Sequence, residues 1–171
     1  MMRDRTGFHI PFVPCSAAER NGHKHECRGI KMNITIIDGQ GGQLGAQLVK
    51  EISAQFPNIK LTAIGTNAIA TSTMLKAGAK NAATGENSVL VACRKADVII
   101  GPVGIVIADA LLGEITDKMA VAVGQADAIR ILIPMNKCDN LIAGVPNLNT
   151  KALIEDTLTK LRDIIIEEKE S

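Results

Sequence analysis

Aromatic side chains are nearly missing from this 171-residue chain, which has no Trp, no Tyr and three Phe, namely Phe8, Phe12 and Phe56. RNA modules that stack bases, single-strand binders and aromatic sugar platforms therefore have nothing to stack with. An excess of charge of one sign is missing too. The 19 basic and 18 acidic residues leave a net charge of +1, no electrostatic case for nucleic acid or an anionic membrane. Histidine ends early: His9, His23 and His25 are all there is. Beyond them, Ser-His-Asp and Cys-His catalysis and His-ligated metals are excluded. No C-x-x-C pair occurs, and Cys93 and Cys138 read as reduced thiols of a cytoplasmic protein. The longest later apolar run, residues 98–112, is broken by Gly101, Pro102, Gly104 and Asp109. It is too short for a bilayer span, which takes about 20 residues. No apolar stretch of the kind a signal peptide needs follows the basic start.

What is present is enough apolar material for one core: 46% of the residues are hydrophobic. Two parts differ. Residues 1–31 have mixed charge, two Pro and no sustained periodicity, and read as an extension or a mis-assigned start, with the natural start expected at Met32. Cys15, His23, His25 and Cys27 are zinc-ligand types, but their C-x7-H-x-H-x-C spacing fits no zinc motif, and no metal is expected there. Residues 32–171 are expected to form a single domain, with 13 basic against 15 acidic residues.

In this part apolar runs alternate with helical periodicity. Strands are expected over residues 31–37, 59–64, 81–83, 96–100, 129–133 and 141–145. Helices are expected over 43–55, 68–77, 86–95, 103–112, 116–123 and 150–168. The alternation predicts an α/β fold, a doubly wound, mostly parallel sheet in a Rossmann-like three-layer sandwich. Six strands suit the order 3-2-1-4-5-6, with a five-strand flavodoxin-like order as the rival. The stripe Leu153, Ile154, Leu158, Leu161 and Ile165 serves either to cover the sheet or to join two copies in a homo-oligomer.

Ligands of open α/β sheets bind at the carboxyl ends of the strands, and there the sequence is rich in Gly, Asn and Thr. The predicted binding residues are Gly39, Gln40, Gly41, Gly42 and Gly45 after the first strand, and Thr66 and Asn67 after the second. Thr84 and Asn87 follow the third, and Gly101 and Gly104 the fourth. Glycines let backbone approach a phosphate, and the next helix N-terminus offers free N–H groups. The fingerprint is loose, G-x-G-x-x-x-G, and no P-loop lysine follows. The acid that holds a ribose about 20 residues further on is replaced by Gly65-Thr66-Asn67. Asp38, directly before the glycines, would repel a pyrophosphate unless it holds Mg2+, meets a ligand hydroxyl or caps the loop. Asp38, Glu86 and Glu114 are the candidate catalytic carboxylates, with Asp109 and Asn136 as further polar positions. Cys93 reads as core, and Cys138 beside Lys137 as the more reactive thiol.

The segments IDGQGGQLG, GTNAIATSTMLKAGA, ATGENSVLVAC, ADVIIGPVGIVIADALLGEIT and ILIPMNKC, from about Met32 to Cys138, resemble a bacterial, largely clostridial family known as domain of unknown function 3842. The resemblance implies a natural start near the first strand and assigns no activity. Three readings follow from the residues. The first is a protein binding a nucleotide or dinucleotide, NAD(P)-like, at the carboxyl rim, with its reaction undefined. The second is a non-catalytic small-molecule sensor or partner-binding subunit, which the scarcity of proton-transfer groups favours. The third is a Mg2+-assisted phosphate-ester enzyme built on Asp38.

Overall fold

The structure is a computed structural model and describes residues 32–135, 142 and 149–170. Its first strand, β1 (Asn33–Asp38), leads through a glycine loop into helix α1 (Gln43–Gln55). Then follow β2 (Lys60–Gly65), α2 (Ala68–Lys76), β3 (Asn81–Thr84), α3 (Glu86–Cys93) and β4 (Val98–Pro102). After an irregular stretch come α4 (Asp117–Gly124), β5 (Ile129–Ile133) and the long α5 (Thr150–Glu170). All pairings are parallel and the order is β3-β2-β1-β4-β5. This is the doubly wound order, so the flavodoxin-like alternative is excluded. The expected strand over 141–145 lies outside the described residues, as do Asn136, Lys137 and Cys138 and all of residues 1–31.

β1 is central because both its faces are apolar, as parallel strands require when helices cover each side. Ile34 and Ile36 point to one layer, where α1 contributes Leu48, Val49 and Ile52 and α5 contributes Leu153, Leu158 and Leu161. The stripe of the last helix therefore covers the sheet. Ile37 points to the other layer, against Val89 and Cys93 of α3 and Met119 and Val123 of α4. The register Ile37↔Ile64 and Ile36↔Ile100 brings the carboxyl ends of β1, β2 and β4 to one rim.

The helix expected over 103–112 is the main correction. Val103–Val106 forms one 3-10 turn, and Ile107 is extended. Asp109, Leu111 and Leu112 then take left-handed backbone, with φ of 61°, 56° and 61°. Val103, Ile105, Val106 and Ile107 are β-branched and Gly104 lies among them, a composition that weakens a helix. Ile105 and Ile115 are buried instead, and the intervening loop is closed by N–H donation from Asp109 to Ile115 O (2.8 Å) and from Ile115 to Ala110 O (3.2 Å). Asp109 is thus an exposed turn residue and not part of an apolar helix. β4 also runs through Gly101 and Pro102, where a break was expected, with Pro102 opposite Ile133 at the strand end.

Candidate functional site

The glycine loop begins with a buried acid. Asp38 closes β1 with 6% exposure, and its carboxylate accepts N–H bonds from Gly39 (2.8 Å) and Gly45 (2.6 Å). The Gly45 amide belongs to the first turn of α1, whose N-cap Gly42 has no side chain to offer. Asp38 therefore caps the helix from the strand before it, satisfying a donor that lacks an intrahelical acceptor. Burial pushes its carboxyl above the usual range. The bonds from Gly45 and Gly39 oppose this, and the nearby Glu114 charge adds to it. Each Asp38 oxygen thus accepts one backbone N–H. Among the described residues no group of three or more His, Cys, Asp or Glu gathers for a metal.

The glycines divide by use. A Cβ on Gly45 would stand 2.5 Å from Met74 Sδ and 2.9 Å from Asp38 Cβ. One on Gly42 would stand 2.6 Å from Ala70 Cα, and one on Gly39 2.8 Å from Glu114 Oε2. These three serve internal packing. Gly41 alone is open: the nearest atom, Gln43 Cγ, is 3.9 Å away, and the residue is exposed. The first-turn N–H groups of Gln43 and Leu44 have no intrahelical acceptor, and no side chain caps the helix at its N-cap.

Three donors converge beside this loop. Glu114 Oε2 accepts from the Gln40 N–H (2.8 Å), the Thr66 hydroxyl (2.5 Å) and the Asn67 side-chain amide (2.9 Å). Asn67 is held in that orientation because its Oδ1 caps α2 through Ala70 N–H (2.8 Å) and its Nδ2 also donates to Gln40 O (3.0 Å). Burial raises the Glu114 carboxyl, but the bonds from Thr66, Gln40 and Asn67 outweigh it and hold the group below its ordinary value. Glu114 is thus a carboxylate at neutral pH, brought from beyond β4 to the end of β2, where the ribose-binding acid was missing.

The remaining predicted residues do not join this cluster. The Thr84 hydroxyl pairs with Thr71 (2.7 Å). Glu86 accepts from the Thr116 hydroxyl (2.7 Å) and lies 3.6 Å from Lys118 Nζ. A Cβ on Gly101 would strike Ile37 O, so that glycine serves the sheet, whereas Gly104 has only ordinary contacts. Asn87 is exposed on the wall of a groove of about 390 Å3 that opens over Asn33, Thr35, Lys60 and Thr62, the amino-terminal halves of β1 and β2. Sequence reasoning missed Leu111, Thr71, Thr116 and Lys118. Thr116 was legible as a helix start. The turn that brings Leu111 to Gly39 carried no signal, since leucine does not mark left-handed backbone.

Cys93 is buried and its thiol is pushed up to about 11 by that burial, so it is protonated at neutral pH. Cys93 is expected to resist iodoacetamide in the folded protein and to react fully in denaturant, read by peptide mass spectrometry. Rapid native modification of Cys93 would contradict this placement.

No helix of the described residues is long and apolar enough to cross a membrane. A family model described as domain of unknown function (DUF3842) matches residues 33–166. Neither a curated protein nor a solved structure matches the chain.

Proposed function

Given that the chain belongs to the family of domain of unknown function (DUF3842), we propose that it is a cytoplasmic binding protein for a phosphate-bearing nucleotide or dinucleotide of the NAD(P) kind, held at the carboxyl rim of the sheet. The observation that carries this reading is the convergence of Gln40 N–H, Thr66 hydroxyl and Asn67 amide on one carboxylate oxygen. Donors aimed at a single point from the ends of β1 and β2 form an anion cradle, at the place where doubly wound sheets bind nucleotides. Gly41 supports it, since its missing side chain is not demanded by any neighbour and leaves room over the loop.

Binding without turnover is favoured by the state of the acids. Asp38 is engaged by two backbone amides, and Glu86 is held by Thr116 and Lys118. Both acids therefore have structural partners, and among the described residues no His or Tyr stands beside them to share a proton transfer. The sensor reading therefore merges with the nucleotide reading: a ligand is held and its occupancy is reported.

The test is thermal unfolding with NAD+, NADP+, ATP and their monophosphates, with and without Mg2+. A ligand at a hundred times its Kd is expected to add about 2.7 kcal/mol, a rise of several degrees in Tm. Gly41→Ala is expected to keep the Tm of the free protein and to weaken binding at least about tenfold, because its new methyl occupies ligand space. Absence of any shift with every nucleotide at millimolar concentration would refute the proposal.

A further inference from the structure

The cradle is already filled by the chain itself, and we infer that Glu114 is an internal competitor whose carboxylate oxygen stands where a ligand oxyanion would go, so that a phosphate must displace it to bind. This rests on the reading of the rim as a nucleotide site and adds how that site is regulated. All three donors end on Oε2, while Oε1 makes no hydrogen bond among the described residues. Three donors on one oxygen reproduce the surroundings that a single ligand oxyanion would meet.

The plug also sits against the loop backbone. The position a Gly39 Cβ would take is 2.8 Å from Glu114 Oε2 and 2.8 Å from Leu111 Cδ1. Those two side chains occupy the space directly over Gly39, and a second anion beside the carboxylate would be repelled. Opening therefore precedes or accompanies binding.

The segment that carries the plug is built to come away. Leu112 is 93% exposed, and Ala110 and Leu111 are only partly buried against the layer of α3 and α4. Asp109, Leu111 and Leu112 hold left-handed backbone that costs non-glycine residues energy. Its base is fixed by the paired bonds between Asp109, Ala110 and Ile115 and by the buried Ile115 side chain. The arrangement is a strained turn on an anchored base, with Ala110, Leu111 and Glu114 facing inward. A site closed for most of the time binds more weakly than its intrinsic affinity, by the fraction of molecules that are open.

Calorimetric titration of inorganic pyrophosphate and of NADP+ into the full chain and its Glu114→Ala variant tests the inference. The variant is expected to bind pyrophosphate at least about tenfold more tightly than the parent, with Glu114→Gln between them because it keeps an acceptor and loses the charge. Glu114→Gln carries the same comparison should the alanine variant not fold. Equal affinities, weaker binding by Glu114→Ala, or no pyrophosphate binding by it would each overturn the inference. NADP+ binding equally to parent and variant would remove the plug and leave the nucleotide reading standing. Tightened pyrophosphate binding with no nucleotide bound by either would do the reverse.

Discussion

Gly42→Ala is expected to destabilise the protein by about 2–5 kcal/mol, combining about 1–3 for overpacking and about 1–2 for a left-handed alanine. The two costs are independent. Gly42 has φ of +68°, which L side chains rarely adopt. Its new Cβ would stand 2.6, 2.7 and 3.0 Å from Cα, O and C of Ala70, backbone atoms of α2 that no rotamer change can move. Gly41→Ala one residue earlier is expected to stay within about 0.5 kcal/mol of the parent, as surface substitutions do. Urea unfolding of both variants checks the pair. Equal stabilities would mean that α2 does not pack on the glycine loop as described.

Asp38→Ala is the second large effect, because it leaves the Gly39 and Gly45 amides without their acceptor at a buried site. Each orphaned donor costs about 1–3 kcal/mol, so a loss of about 2–6 kcal/mol is expected. Asp38→Asn keeps one acceptor and turns its NH2 toward the other backbone donor, so it is expected to lose at least half of that. The two forms separate further with pH. The Asp38 carboxyl is raised by burial above its unfolded value near 3.8. A raised acid binds its proton more tightly when folded, so its contribution is full below the unfolded value and is lost as pH rises through the folded one. Parent stability is thus expected to fall across that window relative to Asp38→Asn. Glu114, held low, has the opposite sign: its contribution is present above 4.5 and is lost as pH falls through its folded value. Denaturation curves of parent and Asp38→Asn that run parallel from acid to neutral pH would contradict the assignment.

The sheet was legible because its physics is local. Buried runs such as Ile34–Ile37 and Val98–Ile100, separated by amphipathic helices, leave few parallel arrangements, and the order β3-β2-β1-β4-β5 was among those expected. Helix 43–55 was readable from Leu44, Leu48, Val49 and Ile52, all now buried. The irregular 103–113 stretch was not. Its apolar residues meet the helical pattern, yet β-branching and two glycines spoil it, and the left-handed turn that results is spelled by Asp and Leu. Gln40, Thr66 and Asn67 were named from strand ends alone. That Glu114 would reach them depends on the turn, and no pattern in one sequence reports a contact across 47 residues made by that route. Capping was among the alternatives for Asp38, and its bonds from the Gly39 and Gly45 amides fit that one.

The sequence separation of plug and cradle also has a consequence in time. Gln40, Thr66 and Asn67 leave the ribosome together with β1 and β2, whereas Glu114 follows Asn67 by 47 residues. At cellular elongation rates that delay is about 2–10 seconds. Throughout it the three donors have no Glu114 to meet, so this contact closes only after β4 and the turn beyond it have been made.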